Sequence, residues 1–143
     1  MEKKGFSIVE VIIGLALFAL IVAIGVPISL NAYLNYLLNS EARNYVSILR
    51  RAQSFSFANT AGNPHGVAFL PDRFVLFRGT SYAARDAAYD EIYYISGGVE
   101  VSSAPETVFS SISGIPNLSG TSTFSNGRQT YSVYVNPQGT IYW

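Results

Sequence analysis

The sequence predicts an α+β fold, in which a long N-terminal helix, transmembrane and then amphipathic, packs on an antiparallel β-sheet body. Three features carry this. An unbroken apolar run near the start is long enough to cross a bilayer. It passes into a segment whose apolar residues recur at spacings of three and four. Beyond Pro64 the chain turns to short β-branched and aromatic runs separated by turn residues. One helix followed by a series of strands, without alternation, gives α+β instead of α/β.

The apolar run covers residues 6–30, which is about 37 Å as a helix and enough to span the hydrocarbon. Lys3 and Lys4 precede it, so the start is held on the cytoplasmic side and the remainder crosses. Glu10 is the one charge inside the run. A secretory signal peptide would be cut after the run, and Ala23-Ile24-Gly25 has the small residues for that. Neither a signal peptide nor a plain signal anchor explains Glu10. A carboxylate deep in lipid costs about 2.5–3.5 kcal/mol on insertion scales, so Glu10 calls for a partner.

After Pro27 the helix becomes amphipathic. Leu34, Leu38, Ala42, Tyr45, Leu49 and Ala52 draw one apolar stripe, with Asn39, Arg43, Ser47, Arg50 and Ser54 opposite. The Arg43 and Arg50 face is read as solvated, the alternative being that it meets acids of a neighbouring subunit. The helix is expected to end near Ala58, before Asn59-Thr60-Ala61-Gly62-Asn63-Pro64. Hairpins are expected for residues 66–70 with 73–77, 91–95 with 99–101, and 129–135 with 140–143, and a further strand within 107–112. Segments 79–90 and 113–123 read as loops.

The start of the chain also carries a resemblance. Gly5-Phe6-Ser7-Ile8-Val9-Glu10, ahead of the apolar run, resembles the class III prepilin signal of type IV pilin-like proteins. The resemblance implies cleavage between Gly5 and Phe6 by a membrane prepilin peptidase, N-methylation of Phe6, an assembly role for Glu10 and a helix kink at Pro27. Residues 1–5 would then be a leader, 6–30 the transmembrane and polymerisation helix, and 31–143 an extracytoplasmic pilin-like domain. In low dielectric a Glu10 carboxylate attracts the new Phe6 amine strongly enough to fix register between packed helices. Arg51-Ala52-Gln53-Ser54, Asn63-Pro64-His65-Gly66-Val67-Ala68-Phe69 and the closing Val135-Asn136-Pro137-Gln138-Gly139-Thr140-Ile141 are similar to the GspH/FimT-like minor pilins and pseudopilins.

Little in the sequence points to chemistry. Cysteine is absent, which removes disulfides, thiolate metal sites and cysteine nucleophiles. His65 is the single histidine and reads as a solvated loop residue at a strand entry. Asp86, Asp90 and Glu91 offer oxygens without the spacing of a calcium loop, and read as a solvated acidic stretch. No metal, cofactor or catalytic residue is expected, and the chain is not expected to be an enzyme. Tyr131, Tyr134, Tyr142 and Trp143 are read as cross-strand packing, with a stacking platform for bases or sugars as the alternative.

The resemblance implies a minor pilin or pseudopilin of a type IV pilus or type II secretion filament, in a tip or initiation complex. The resemblance implies the inner membrane as first location, with a single pass, and the filament afterwards. Its implied partners are other pilins through the N-terminal helix, the peptidase, and the inner-membrane assembly platform with its ATPase. A competence pilin that captures DNA is the rival reading and a major pilin a third. From Asn31 onward seven arginines face seven acids, and only Arg128 is positive after Arg85, so DNA is not expected as a partner.

Overall fold

A computed structural model of the chain describes residues 5–143, apart from the side chains of residues 25–28. Residues 1–4 of the expected leader therefore lie outside the described residues, as does the Pro27 side chain behind the expected kink. One helix, α1 (Ile8–Phe57), is followed by eight strands: β1 (His65–Leu70), β2 (Arg73–Arg78), β3 (Glu91–Tyr94), β4 (Glu100–Ser102), β5 (Glu106–Phe109), β6 (Gly120–Ser125), β7 (Thr130–Val135) and β8 (Ile141–Tyr142). The layout is α+β. The chain divides into two units, the first ending at Leu34 and the second running Asn35–Trp143.

Within the first unit the helix is apolar on every side and exposed over residues 8–24. Ile8, Val9, Val11, Ile12, Ile13, Leu15, Leu17, Phe18, Leu20 and Ile21 are all exposed, although they occupy every direction around the axis. A helix of this kind has no solvated face, and it is long and apolar enough to cross a membrane.

The second unit holds two four-stranded antiparallel sheets, where one was expected: β3-β2-β1-β5 and β4-β6-β7-β8. Leu38, Ala42, Tyr45, Val46, Ile48, Leu49 and Ala52 of α1 meet Val67, Phe74, Leu76 and Phe109 of the first sheet. The same core takes in Phe124, Val133, Val135 and Ile141 of the second sheet. Each such side chain contributes about 1.5–3 kcal/mol by leaving water. On the other face of the first sheet, Ala68, Phe77 and Val108 pack with Leu70 and Tyr82. Covered on both faces, β1 and β2 read as continuous apolar runs. In the second sheet, buried Val133 and Val135 alternate with exposed Ser132 and Tyr134.

Three expectations are corrected here. Residues 91–95 and 99–101 do not form a hairpin, since β3 and β4 belong to different sheets. The physical reason is Glu41, which the apolar stripe concealed. This buried carboxylate accepts from the Ser96 N–H at 3.2 Å and from the Ser96 hydroxyl through the same Oε1, drawing the 96–98 turn onto α1. The segment 113–123, read as loop, contains the start of β6, whose Ser122 and Phe124 point inward. His65, read as a solvated loop residue, is 5% exposed and opens β1.

Candidate functional site

At the head of α1 the residues form a local device. Ser7 sits at the N-cap, and its hydroxyl accepts from the Val9 N–H at 3.3 Å. Three positions on, Glu10 reaches back, and its Oε2 accepts from the Ser7 N–H at 2.9 Å. This is a capping box, Ser-x-x-Glu, and its negative charge also lies at the positive end of the helix dipole. Glu10 thus has a partner inside its own chain, which the reading of Glu10 as an intramembrane acid had overlooked. The Ser-x-x-Glu spacing was the signal that could have shown it. Gly5 and Phe6 precede the helix in irregular, exposed backbone, Phe6 being 87% exposed.

The one histidine lies elsewhere, where α1 hands the chain to β1. Ser56, fully buried, accepts from the His65 N–H at 2.9 Å, which holds the strand start against the helix end. The imidazole packs 5.5 Å from the Phe55 ring and lines a cavity of about 160 Å³ with Phe55, Thr60, Leu76, Arg78, Tyr89 and Glu91. Burial pushes the His65 pKa down, the Asn63 carbonyl partly offsets this by favouring the proton, and the Arg78 charge lowers it further.

The acids once weighed as calcium ligands each face an arginine: Asp86 with Arg78 at 2.6 Å, Asp90 with Arg85 at 2.7 Å, and Glu91 with Arg51 at 2.8 Å. Among the described residues no group of three His, Asp or Glu side chains is placed to hold a metal ion.

The four C-terminal aromatics separate. Tyr131 packs against the core, Tyr134 and Tyr142 stack on the outer face of the second sheet with centroids 6.2 Å apart, and Trp143 lies on the helix side under Arg43. They share no single platform. Arg43 and Arg50 are exposed on α1, as expected of that face. No protein-family model, curated protein or solved structure matches the chain.

Proposed function

We propose that the chain is a type IV pilin-like subunit, a minor pilin or pseudopilin that is processed at the membrane and assembles into a pilus or secretion filament through its N-terminal helix. The observation that carries the reading is Gly5-Phe6-Ser7-Ile8-Val9-Glu10 standing at the mouth of a helix that is exposed and apolar on all sides, then buried on one stripe in a separate unit. A helix that served only as a core element would be amphipathic or buried throughout. This one is built to leave water twice, first into lipid and then against other helices.

In the processed chain a positive amine at Phe6 stands one residue from the Ser7 N–H that Glu10 already holds. The same carboxylate neutralises that amine within the subunit, or turns to the amine of a neighbour during assembly. The resemblance places the peptidase, the assembly platform and its ATPase among the partners, and a tip or initiation complex as the position. The test is mass spectrometry of the mature N-terminus after expression with a prepilin peptidase. A chain beginning at N-methylated Phe6 is the expected result. Recovery of Met1, or of a start beyond Gly25, overturns the proposal.

A further inference from the structure

Four ion pairs draw on the seven arginines and seven acids of the second unit. Arg51 pairs with Glu91, Arg73 with Asp72, Arg78 with Asp86 and Arg85 with Asp90, and Arg128 is also engaged. Among the described residues Arg43 and Arg50 have no acid partner. They stand seven positions apart on the exposed face of α1, about 10.5 Å along its axis. With Val46, Ser47 and Trp143 they line an open groove of about 290 Å³. One side of the groove is fixed in place: Arg43 Nε donates to Asn39 Oδ1 at 2.7 Å while its guanidinium lies 4.6 Å over the Trp143 ring.

Trp143 follows β8, one edge of the second sheet. The other edge is β4, where Glu100 is exposed and its carboxylate has no hydrogen bond or ion pair among the described residues. Strands β6 and β7 lie between, so three strand spacings, about 14 Å, separate the two edges. Glu100 thus sits on the sheet edge opposite the one that Trp143 follows. Each edge strand is short and hydrogen-bonded on one side only.

We infer that the β4 edge of one copy docks beside the groove of the next, with Glu100 entering between the guanidiniums of Arg43 and Arg50. This rests on the filament-subunit reading above and names a body contact within it. Charge accounting favours a second copy as the occupant. The remaining acids of the unit are Glu41, buried with Ser96, and Glu106, whose carboxylate accepts from the Tyr82 N–H. Glu100 is thus the exposed acid of the second unit whose carboxylate has neither an ion pair nor a hydrogen bond among the described residues, in a chain of zero formal net charge. Trp and Arg are the side chains that anchor interfaces, and the charge pair adds register more than affinity. Because two different edges meet, the contact is heterologous and repeats into an open filament instead of closing a symmetric dimer.

The chain has no cysteine, so introduced ones report cleanly. Two full-length copies with different tags are co-expressed with a prepilin peptidase, one carrying Ser102→Cys beside Glu100 and the other Ser47→Cys in the groove. Oxidation is expected to give mixed-tag dimers. Adding Glu100→Lys to the S102C copy should lower their yield about fivefold, and Arg43→Glu with Arg50→Glu in the S47C copy should restore it. Only same-tag dimers, no mixed dimers, or a yield indifferent to the charge changes overturn the inference. So does loss of the mixed dimers on nuclease treatment, which would make nucleic acid the occupant. Mass spectrometry of the N-terminus on the same sample reads the subunit proposal separately. Mixed dimers from an unprocessed chain leave the contact standing without that proposal. Processing without mixed dimers leaves the proposal without the contact, and absence of both removes both.

Discussion

Replacing Gln53 by Leu removes one side-chain amide and with it the tie between α1 and two turns. Its Nε2 donates to the Gly139 carbonyl at 2.8 Å and to the Gly114 carbonyl at 3.1 Å. Gly114 lies between β5 and β6 and Gly139 between β7 and β8, both with left-handed backbone, φ 60° and 84°. Leucine keeps the stem of the side chain and drops both N–H groups, leaving two carbonyls of buried residues without this donor. At about 0.5–1.5 kcal/mol for each hydrogen bond, the loss is about 1–3 kcal/mol. For a body of this size a urea slope of about 1.5 kcal/mol/M converts that to a midpoint lowered by about 0.7–2 M. The assay is urea unfolding of residues 31–143, followed by far-UV circular dichroism and by Trp143 fluorescence. A second substitution shares the contact, because a Cβ on Gly139 would lie 2.6 Å from Gln53 Nε2. Gly139→Ala in the Q53L background should therefore cost less than in wild type. A midpoint within about 0.3 M of wild type, with the slope unchanged, refutes the reasoning.

Gly66→Ala should destabilise the same body by about 1–3 kcal/mol, since its Cβ would meet Phe77 Cζ at 2.7 Å and the Thr107 carbonyl at 2.9 Å, and thermal melts will show it. Lowering the pH should cost stability through His65. Its pKa is lower folded than the ordinary 6.5, so its contribution is complete above 6.5 and is lost as pH falls through the depressed folded value. Urea midpoints between pH 7.5 and 5 should therefore decline more steeply for wild type than for His65→Gln, and equal declines would count against a neutral buried imidazole. Glu10→Ala should still insert in membranes but fail to join filaments. Glu10→Gln retains a capping-box side chain without the charge, so it separates the two roles of this residue. Filament incorporation restored by glutamine would assign Glu10 to the cap alone.

Much of the helix was legible because burial repeats every three to four residues. Leu38, Ala42, Tyr45, Leu49 and Ala52 were named from spacing, and all are buried. The hairpins at Pro71-Asp72 and Asn136-Pro137-Gln138-Gly139 were equally plain, since turn chemistry is local. What failed was non-local. Ser96-Gly97-Gly98 has the composition of a hairpin turn, but whether the chain folds back or crosses to another sheet depends on Glu41, 55 positions earlier. Strand β6 hides its pattern because small polar residues occupy most of it, and the Ser122 hydroxyl is buried by bonding to Tyr45 Oη at 3.2 Å and Ser103 Oγ at 2.8 Å. His65 looked solvated between Pro64 and Gly66, and only the buried Ser56 hydroxyl shows otherwise. At the head of α1, Glu10 was singled out from the sequence and its capping geometry with Ser7 was overlooked.

The order in which the core assembles follows from where its parts lie along the chain. α1 contributes its buried face first, and Ile141, which completes that core, follows Leu49 by about 90 residues. At synthesis rates of about 5–20 residues per second, the stripe from Leu38 to Ala52 waits about 5–20 s for its last strand. During that interval the part of the stripe that meets the second sheet stands uncovered. A cell that makes this protein must shield that surface, or emerging copies will find one another before each finds its own sheets.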